Sequence, residues 1–151
     1  MATTVNNTTV NSRLTIIFDA AGDLNGNGPA KGTGNTESDV YIDNKVYHNL
    51  RSHTEINSEI HALQWDAITN TGHIEYTDNR ENLSLSEWPT WATNVVIRCE
   101  AQDAWETAYN STYAAHPDAN SEIDDSAAVT AGTTAGDTAR DNYLSGHNIT
   151  Y

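Results

Sequence analysis

A Gly-rich segment in the first quarter of the chain is where residue types and spacing come closest to a metal site. Three oxygen-bearing side chains and a glycine match positions 1, 3, 5 and 6 of a helix–loop–helix calcium loop: Asp23, Asn25, Asn27 and Gly28. Position 12 of that loop supplies a bidentate Glu, but this position is Gly34 here. The pattern favours a Gly/Asn turn cluster. The alternative is a non-standard calcium site with four ligands: Asp19, Asp23, Asn25 and Asn27.

Histidines in the middle of the chain are the other candidate metal ligands. Four of them lie in or between the segments predicted to be β-strands, with glutamates nearby in sequence: His48, His53, His61 and His73. The spacings typical of zinc sites, such as His-x-His or His-Glu-x-x-His, do not occur. We therefore predict surface or hydrogen-bonded histidines, no metal and no other cofactor. Strand alternation would let His61 and His73 face each other, on the side opposite Leu63 and Trp65.

Covalent catalysis has weak support in this sequence. The single cysteine, Cys99, falls inside a predicted helix without a nearby histidine, which is typical of a small packed residue. Neither a Gly-x-Ser-x-Gly elbow nor a phosphate loop ending in Gly-Lys-Ser/Thr is present. Paired carboxylates are abundant only because the chain is acidic. We predict no enzymatic activity; the alternative is an enzyme that acts on polysaccharides through a pair of carboxylates.

The four tryptophans permit two interpretations. Most are expected in the core, because each aromatic side chain buries roughly 150–250 Å². Trp88 and Trp91, separated by Pro89 and Thr90, are the pair most expected to be exposed. Aromatic faces stack well on sugar rings, so this pair is the candidate contact for a carbohydrate or a protein partner.

Strands and one long helix must position these residues. Alternating and β-branched segments predict strands near residues 13–19, 40–48, 60–66 and 72–77, with an Asp-Asn turn dividing 40–48 into two. A capping-box pattern at residues 84–87 predicts a short helical turn over 86–92. Apolar residues of 3.6-residue period predict a helix over 93–114, with Thr93 as N-cap and an end before Pro117.

These elements predict an α+β fold: a small, mainly antiparallel sheet with one helix across one face, flanked by extended polar arms. The expected core residues are Leu63, Trp65, Ile74, Tyr76, Ile97 and Trp105. Residues 1–39 would form an N-terminal arm, strand and Gly-rich loop, 40–115 the core module, and 116–151 an extended acidic Ala/Thr/Gly tail. A sandwich in which the tail pairs with other subunits is the competing arrangement.

Composition limits the classes of partner. The formal net charge is −14, with only 7 Lys+Arg, so nucleic acid and anionic membranes are not expected as partners. Leu, Ile, Val and Phe together make up about one-sixth of the residues, a fraction typical of chains that fold poorly alone. We therefore expect the two arms to become ordered only by assembly with neighbouring subunits.

Residues 40–113 resemble a small module that recurs in marine tailed bacteriophages, notably those of cyanobacteria. The matching residues are Ile42, Asp43, Asn44, Tyr47, residues 60–65 (IHALQW), 72–76 (GHIEY), 81–83 (ENL), 88–91 (WPTW) and a helix containing Trp105. The resemblance implies a virion structural protein: a tail-fibre, baseplate or head-decoration subunit, assembled in the host cytoplasm with other virion proteins or copies of itself. The alternative is a host-surface carbohydrate-binding module acting through Trp88 and Trp91.

Overall fold

The computed structural model describes residues 2–18, 35–53, 56, 57 and 59–150. It divides into two compact units, Met1–Val96 (unit 1) and Ile97–Tyr151 (unit 2). The elements along the chain are β1 (Thr3–Val5), β2 (Thr8–Val10), β3 (Arg13–Phe18), β4 (Asn35–Ile42), β5 (Lys45–His53), β6 (Ile60–Asp66), β7 (Thr71–Tyr76), β8 (Leu83–Leu85), α1 (Ala92–Ala115) and α2 (Ser126–Gly146). The α+β class with an antiparallel sheet is confirmed.

Unit 1 is built around a six-stranded sheet of order β5-β4-β3-β6-β7-β8, in which every pairing is antiparallel. The predicted Asp-Asn turn joins β4 to β5. Asp43 there has φ 52°, and Asn6 and Asn70 have similar values in two other hairpin turns. Asn and Asp tolerate this left-handed backbone better than most residues, so the three turns have residues suited to their geometry.

One face of this sheet forms the core of unit 1. Leu14, Ile16 and Phe18 alternate along β3 and are almost fully buried, and Leu63 and Trp65 are buried on neighbouring β6. Because paired residues share a face, the pairings of Leu14 with Trp65 and of Ile16 with Leu63 place these side chains together. Strand β3 pairs with β4 on one side and with β6 on the other, so the predicted strand near residues 13–19 lies inside the sheet.

The first residues, predicted to be part of an extended polar arm, form a hairpin. Strands β1 and β2 pair with each other, and Val5 and Val10 are buried. The Trp65 indole Nε1 donates to Thr3 Oγ1 at 3.0 Å, and that hydroxyl donates to Asn70 Oδ1 at 2.7 Å. These bonds join the hairpin to the β6–β7 hairpin, so residues 3–10 belong to unit 1.

The start of the helical region also differs from prediction. Ser84 and Leu85 lie in β8, paired with His73 and Gly72, so the capping-box pattern does not begin a helix. Strand pairing at the sheet edge has outweighed the local capping signal. Helix α1 begins at Ala92 and ends at Ala115, which confirms the predicted end before Pro117.

Unit 2 contains a second helix where an extended tail was predicted. Residues 126–146 form α2, in which Ala128, Gly132, Gly136 and Leu144 are buried. The prediction failed because it counted only the large apolar residues of the tail. The aromatic residues of α1 supply the buried area, since added Cβ atoms at Gly132 and Gly136 would meet Tyr109 and Trp105.

The far end of unit 2 has its own small apolar cluster. Ile97, Ala101 and Leu144 are buried together, with Tyr143 and Ile149 packed against them. The Tyr143 hydroxyl donates to the Glu100 carboxylate. Arg98 Nη2 donates to the carbonyl of Thr150 at 3.2 Å, so the last described residues are fastened to α1.

Candidate functional site

The solvent-facing side of the unit 1 sheet has two rows of polar side chains across three strands. In one row Thr15 of β3 lies opposite Gln64 of β6, which lies opposite His73 of β7. In the next row Arg13 lies opposite Asp66, and Asp66 lies opposite Thr71. The residues between the rows, such as Leu14 and Trp65, face the core, so alternation separates a polar face from an apolar one.

A polar hollow of about 230 Å³ opens between these rows. Its side chains are those of Arg13, Gln64, Asp66, Thr71 and His73, and Trp65 and Gly72 complete the lining. Gln64 Oε1 accepts a hydrogen bond from Thr15 Oγ1 at 2.7 Å, which fixes the amide in the sheet. His73 Nε2 lies 3.1 Å from Glu75 Oε1.

The two charged groups of the polar hollow do not bind each other. Asp66 Oδ1 accepts hydrogen bonds from the backbone N–H groups of Ile68 and Thr69, at 2.8 and 3.2 Å. Arg13 is exposed. Its guanidinium has no ion pair or hydrogen bond with the part of the chain that the structure describes. A guanidinium has five donors and a carboxylate only acceptors, so the hollow offers both kinds of group to a ligand.

An apolar patch lies on the same side of the sheet, towards the β5 edge. It consists of Ile17, Tyr41 and Val46, which are 37%, 37% and 41% exposed. Ile17 is on β3 and lies diagonally from Tyr41, since its direct partner on β4 is Asp39. Tyr41 lies directly opposite Val46 on one side and Thr15 on the other. Thr15 therefore separates the apolar patch from the polar hollow.

Trp88 and Trp91 are not the exposed pair that was predicted. Both are partly buried. Trp88 packs edge-on against Trp65, with ring centroids 5.5 Å apart, and its Nε1 donates to Thr93 Oγ1 at 3.0 Å. Trp91 lies 6.0 Å from the ring of Phe18. The residues pack within unit 1 because each indole covers an aromatic side chain of the sheet, a long-range contact that local sequence does not reveal.

The predicted core residues fall into two groups. Leu63, Trp65, Ile74 and Ile97 are buried, at 0%, 2%, 5% and 6% exposure. Tyr76 and Trp105 are partly buried. The first three of the buried residues belong to unit 1 and Ile97 to unit 2, so the predicted set belongs to two cores.

The candidate metal ligands are the residues of the Gly-rich segment and the histidines. Asp19, Asp23, Asn25 and Asn27 lie outside the described residues, and the calcium alternative stays a prediction. His73 lies opposite Gln64 and not opposite His61, because Asp66 pairs with Thr71 and this pairing sets the register of the hairpin. Among the described residues no group of three or more His, Cys, Asp or Glu is arranged to hold a metal ion. Cys99 is buried in α1.

No family model, curated protein or solved structure matches this chain. The resemblance of residues 40–113 to a phage module therefore stays a prediction. Neither described helix has the length and apolar character needed to cross a membrane.

Proposed function

We propose that this chain is a structural subunit of a bacteriophage particle, in a tail fibre, baseplate or head decoration, and acts through protein–protein contacts. Its partners would be other virion proteins and further copies of the chain in a symmetric assembly. Its location would be the virion. The observation that supports this best is the apolar patch of Ile17, Tyr41 and Val46 on the open side of the sheet.

The position of the apolar patch favours a contact role. Single exposed apolar residues are normal on protein surfaces, whereas contiguous apolar surface marks interaction sites, and Tyr41 and Val46 are directly opposite on paired strands. Val46 also belongs to β5, an edge strand of the six-stranded sheet. Edge strands present backbone donors and acceptors that another chain can pair with. A partner that binds at β5 would cover the apolar side chains and would also form backbone hydrogen bonds with the edge of the strand.

Charge supports the same kind of partner. A net charge of −14 on 151 residues makes self-association through large acidic surfaces unfavourable, but it attracts basic surfaces of other subunits. Electrostatic attraction of this kind mainly speeds association and is weakened by salt. Copies of the chain would therefore meet through the apolar patch, and basic virion proteins through its acidic surface.

Val46→Lys tests this proposal. A charge in the middle of a buried contact is costly to desolvate. We therefore expect the amount of the variant chain in particles of the encoding phage to be at least about tenfold lower than that of the wild type. The measurement is quantitative mass spectrometry of purified particles, alongside the oligomeric state of the isolated chain by light scattering.

Ile68→Lys is the matched control. Ile68 is 60% exposed in the turn between β6 and β7, outside the apolar patch, and receives the same substitution. This variant should enter particles at the wild-type level. The proposal is wrong if purified particles lack the wild-type chain, or if both lysine variants enter them equally.

A further inference from the structure

We propose that the polar hollow on the open face of the sheet is a binding site for a neutral saccharide. This goes beyond the assembly role, which depends on the apolar patch at the β5 side of the sheet. The site differs from Trp88 and Trp91, whose rings pack within unit 1.

The arrangement of Arg13 and Asp66 points to a ligand with neighbouring hydroxyl groups. The two residues are directly opposite on paired strands, where Cβ atoms are typically about 5 Å apart. Even so, Arg13 forms no ion pair with any described residue, Asp66 included. Of two adjacent hydroxyls on a sugar ring, one can donate to the carboxylate while the other accepts from the guanidinium. Both charged groups would then be satisfied without moving the backbone.

The remaining side chains add donors and acceptors around the same space. Gln64 Oε1 is occupied by the Thr15 hydroxyl, so its amide N–H groups are the part left to bind a ligand. Thr71 supplies a hydroxyl at the rim, which is shared with Thr69 at 2.7 Å. His73 is oriented by Glu75. A polyhydroxylated ring matches this mixture better than an apolar ligand, because polar groups that a ligand covers lose water and must gain hydrogen bonds to the ligand.

Charge favours a neutral ligand over an acidic one. The polar hollow contains one guanidinium and one carboxylate, and Glu75 lies beside His73 at its edge. The whole chain has a net charge of −14, so anions are repelled at long range. An acidic sugar would bring a further negative charge near Asp66, whereas a neutral sugar would not.

The volume of the polar hollow and the residues beside it limit how much of a saccharide it can hold. A space of about 230 Å³ is smaller than the roughly 300–1,000 Å³ of sites for drug-sized ligands, so it suits a single ring. Along the row from Gln64, Thr15 and then Tyr41 follow on adjacent strands. Two strand spacings place Tyr41 roughly 10 Å from Gln64, so a ring bound in the polar hollow would leave Tyr41 to the assembly contact.

The test is a titration of the full ¹⁵N-labelled chain, followed by two-dimensional NMR. The neutral probes are maltotriose, cellotriose, mannotriose and N-acetylchitotriose, and the acidic probes are sialyllactose and trigalacturonate. We expect saturable shift changes with at least one neutral probe, concentrated at the backbone amides of residues 13, 64–66 and 71–73. Shifts confined to residues around Trp88 and Trp91, binding of acidic probes alone, or no shift with any probe would each overturn the proposal.

Two variants and a matched control localise the site. Arg13→Gln and Asp66→Asn should each weaken binding at least about tenfold. Asparagine keeps an acceptor for the N–H groups of Ile68 and Thr69, so the second change spares the turn. Arg51→Gln makes the same charge change on β5, outside the polar hollow, and should leave affinity unchanged. Equal affinity in all three variants would refute the site. Particle incorporation of these variants reports separately on the assembly role.

Discussion

Replacing Gly136 with alanine is expected to destabilise unit 2 by about 2 kcal/mol, even though alanine is the better helix former by about 1 kcal/mol. A Cβ at this position would lie 2.7 Å from Cε2 and Nε1 of Trp105. The indole cannot move aside freely, because its Nε1 donates to Asp137 Oδ1 at 2.8 Å and its ring stacks on Tyr109 with centroids 5.0 Å apart. Overpacking typically costs about 1–3 kcal/mol and a lost hydrogen bond about 1 kcal/mol, so the clash outweighs the gain in propensity.

The same substitution at the end of the same helix is the control. A Cβ at Gly146 would have no neighbour within 4 Å, so Gly146→Ala should be neutral or stabilise by a few tenths of a kcal/mol. Urea unfolding followed by far-ultraviolet circular dichroism measures both effects. In a Trp105→Ala background the cost of Gly136→Ala should disappear, because the ring that it meets is gone. Equal stabilisation by both alanines would show that α2 does not pack on Trp105.

This contact also explains why α2 could not be predicted from composition. Glycine, alanine and threonine dominate residues 126–146, and such residues bury little area of their own. The informative signal was spacing: Gly132 and Gly136 are four residues apart and lie on one face of a helix. That face packs against the aromatic rings of α1, so the surface that stabilises α2 belongs to a different segment of the sequence.

Strand prediction succeeded where local pattern and tertiary environment agree. Strand β3 and the β6–β7 hairpin have the expected positions because β-branched and alternating residues bury one face of each. The hairpin of β1 and β2 was missed although Val5 and Val10 alternate with threonines around Asn6 and Asn7. Two valines are too few to predict a strand pair until Trp65 and Asn70 are known to bond to Thr3.

The polar hollow could not be predicted from the sequence, because it depends on the register in which three strands pair. Its residues come from β3, β6 and β7, and only the pairing of Arg13 with Asp66 and of Gln64 with His73 brings them together. The prediction that His61 faces His73 required a register three residues away from the observed one, in which Gln64 lies opposite His73. A shift of one residue in register already moves a side chain to the opposite face, so a small error in register separates the residues of the polar hollow.

Asp43→Ala is expected to destabilise unit 1 by about 2–3 kcal/mol at neutral pH. Asp43 Oδ1 accepts hydrogen bonds from the backbone N–H groups of Ser12 and Arg13, at 2.8 and 3.2 Å, and Oδ2 accepts from that of Asn11 at 3.0 Å. Alanine loses all three bonds. It also places a less tolerant residue at φ 52°, which costs about 1 kcal/mol. Asn44→Ala, in the same turn, is the control and should change stability by less than about 0.5 kcal/mol.

The pH dependence separates the charge of Asp43 from its shape. The backbone N–H of Asn11, with those of Ser12 and Arg13, lowers the pKa of Asp43 in the folded chain. A lowered pKa means that the stabilisation is fully present above the unfolded-state pKa, about 3.9, and is lost as pH falls through the folded-state pKa. The gap in unfolding free energy between wild type and Asp43→Ala should therefore narrow below about pH 4.

The Asp43→Asn variant tests whether the charge of Asp43 makes the gap in unfolding free energy between wild type and Asp43→Ala depend on pH. Asparagine tolerates the left-handed backbone and keeps one acceptor oxygen, so its cost at neutral pH should be smaller than that of alanine. It cannot titrate, so its unfolding free energy should lack the acid-dependent contribution of Asp43. The measurement is urea unfolding at several pH values between about 3 and 7, with tryptophan fluorescence reporting on Trp65 and its neighbours. If the gap between wild type and Asp43→Ala stays constant across this range, the carboxylate does not bind the β2–β3 turn as a charged acceptor.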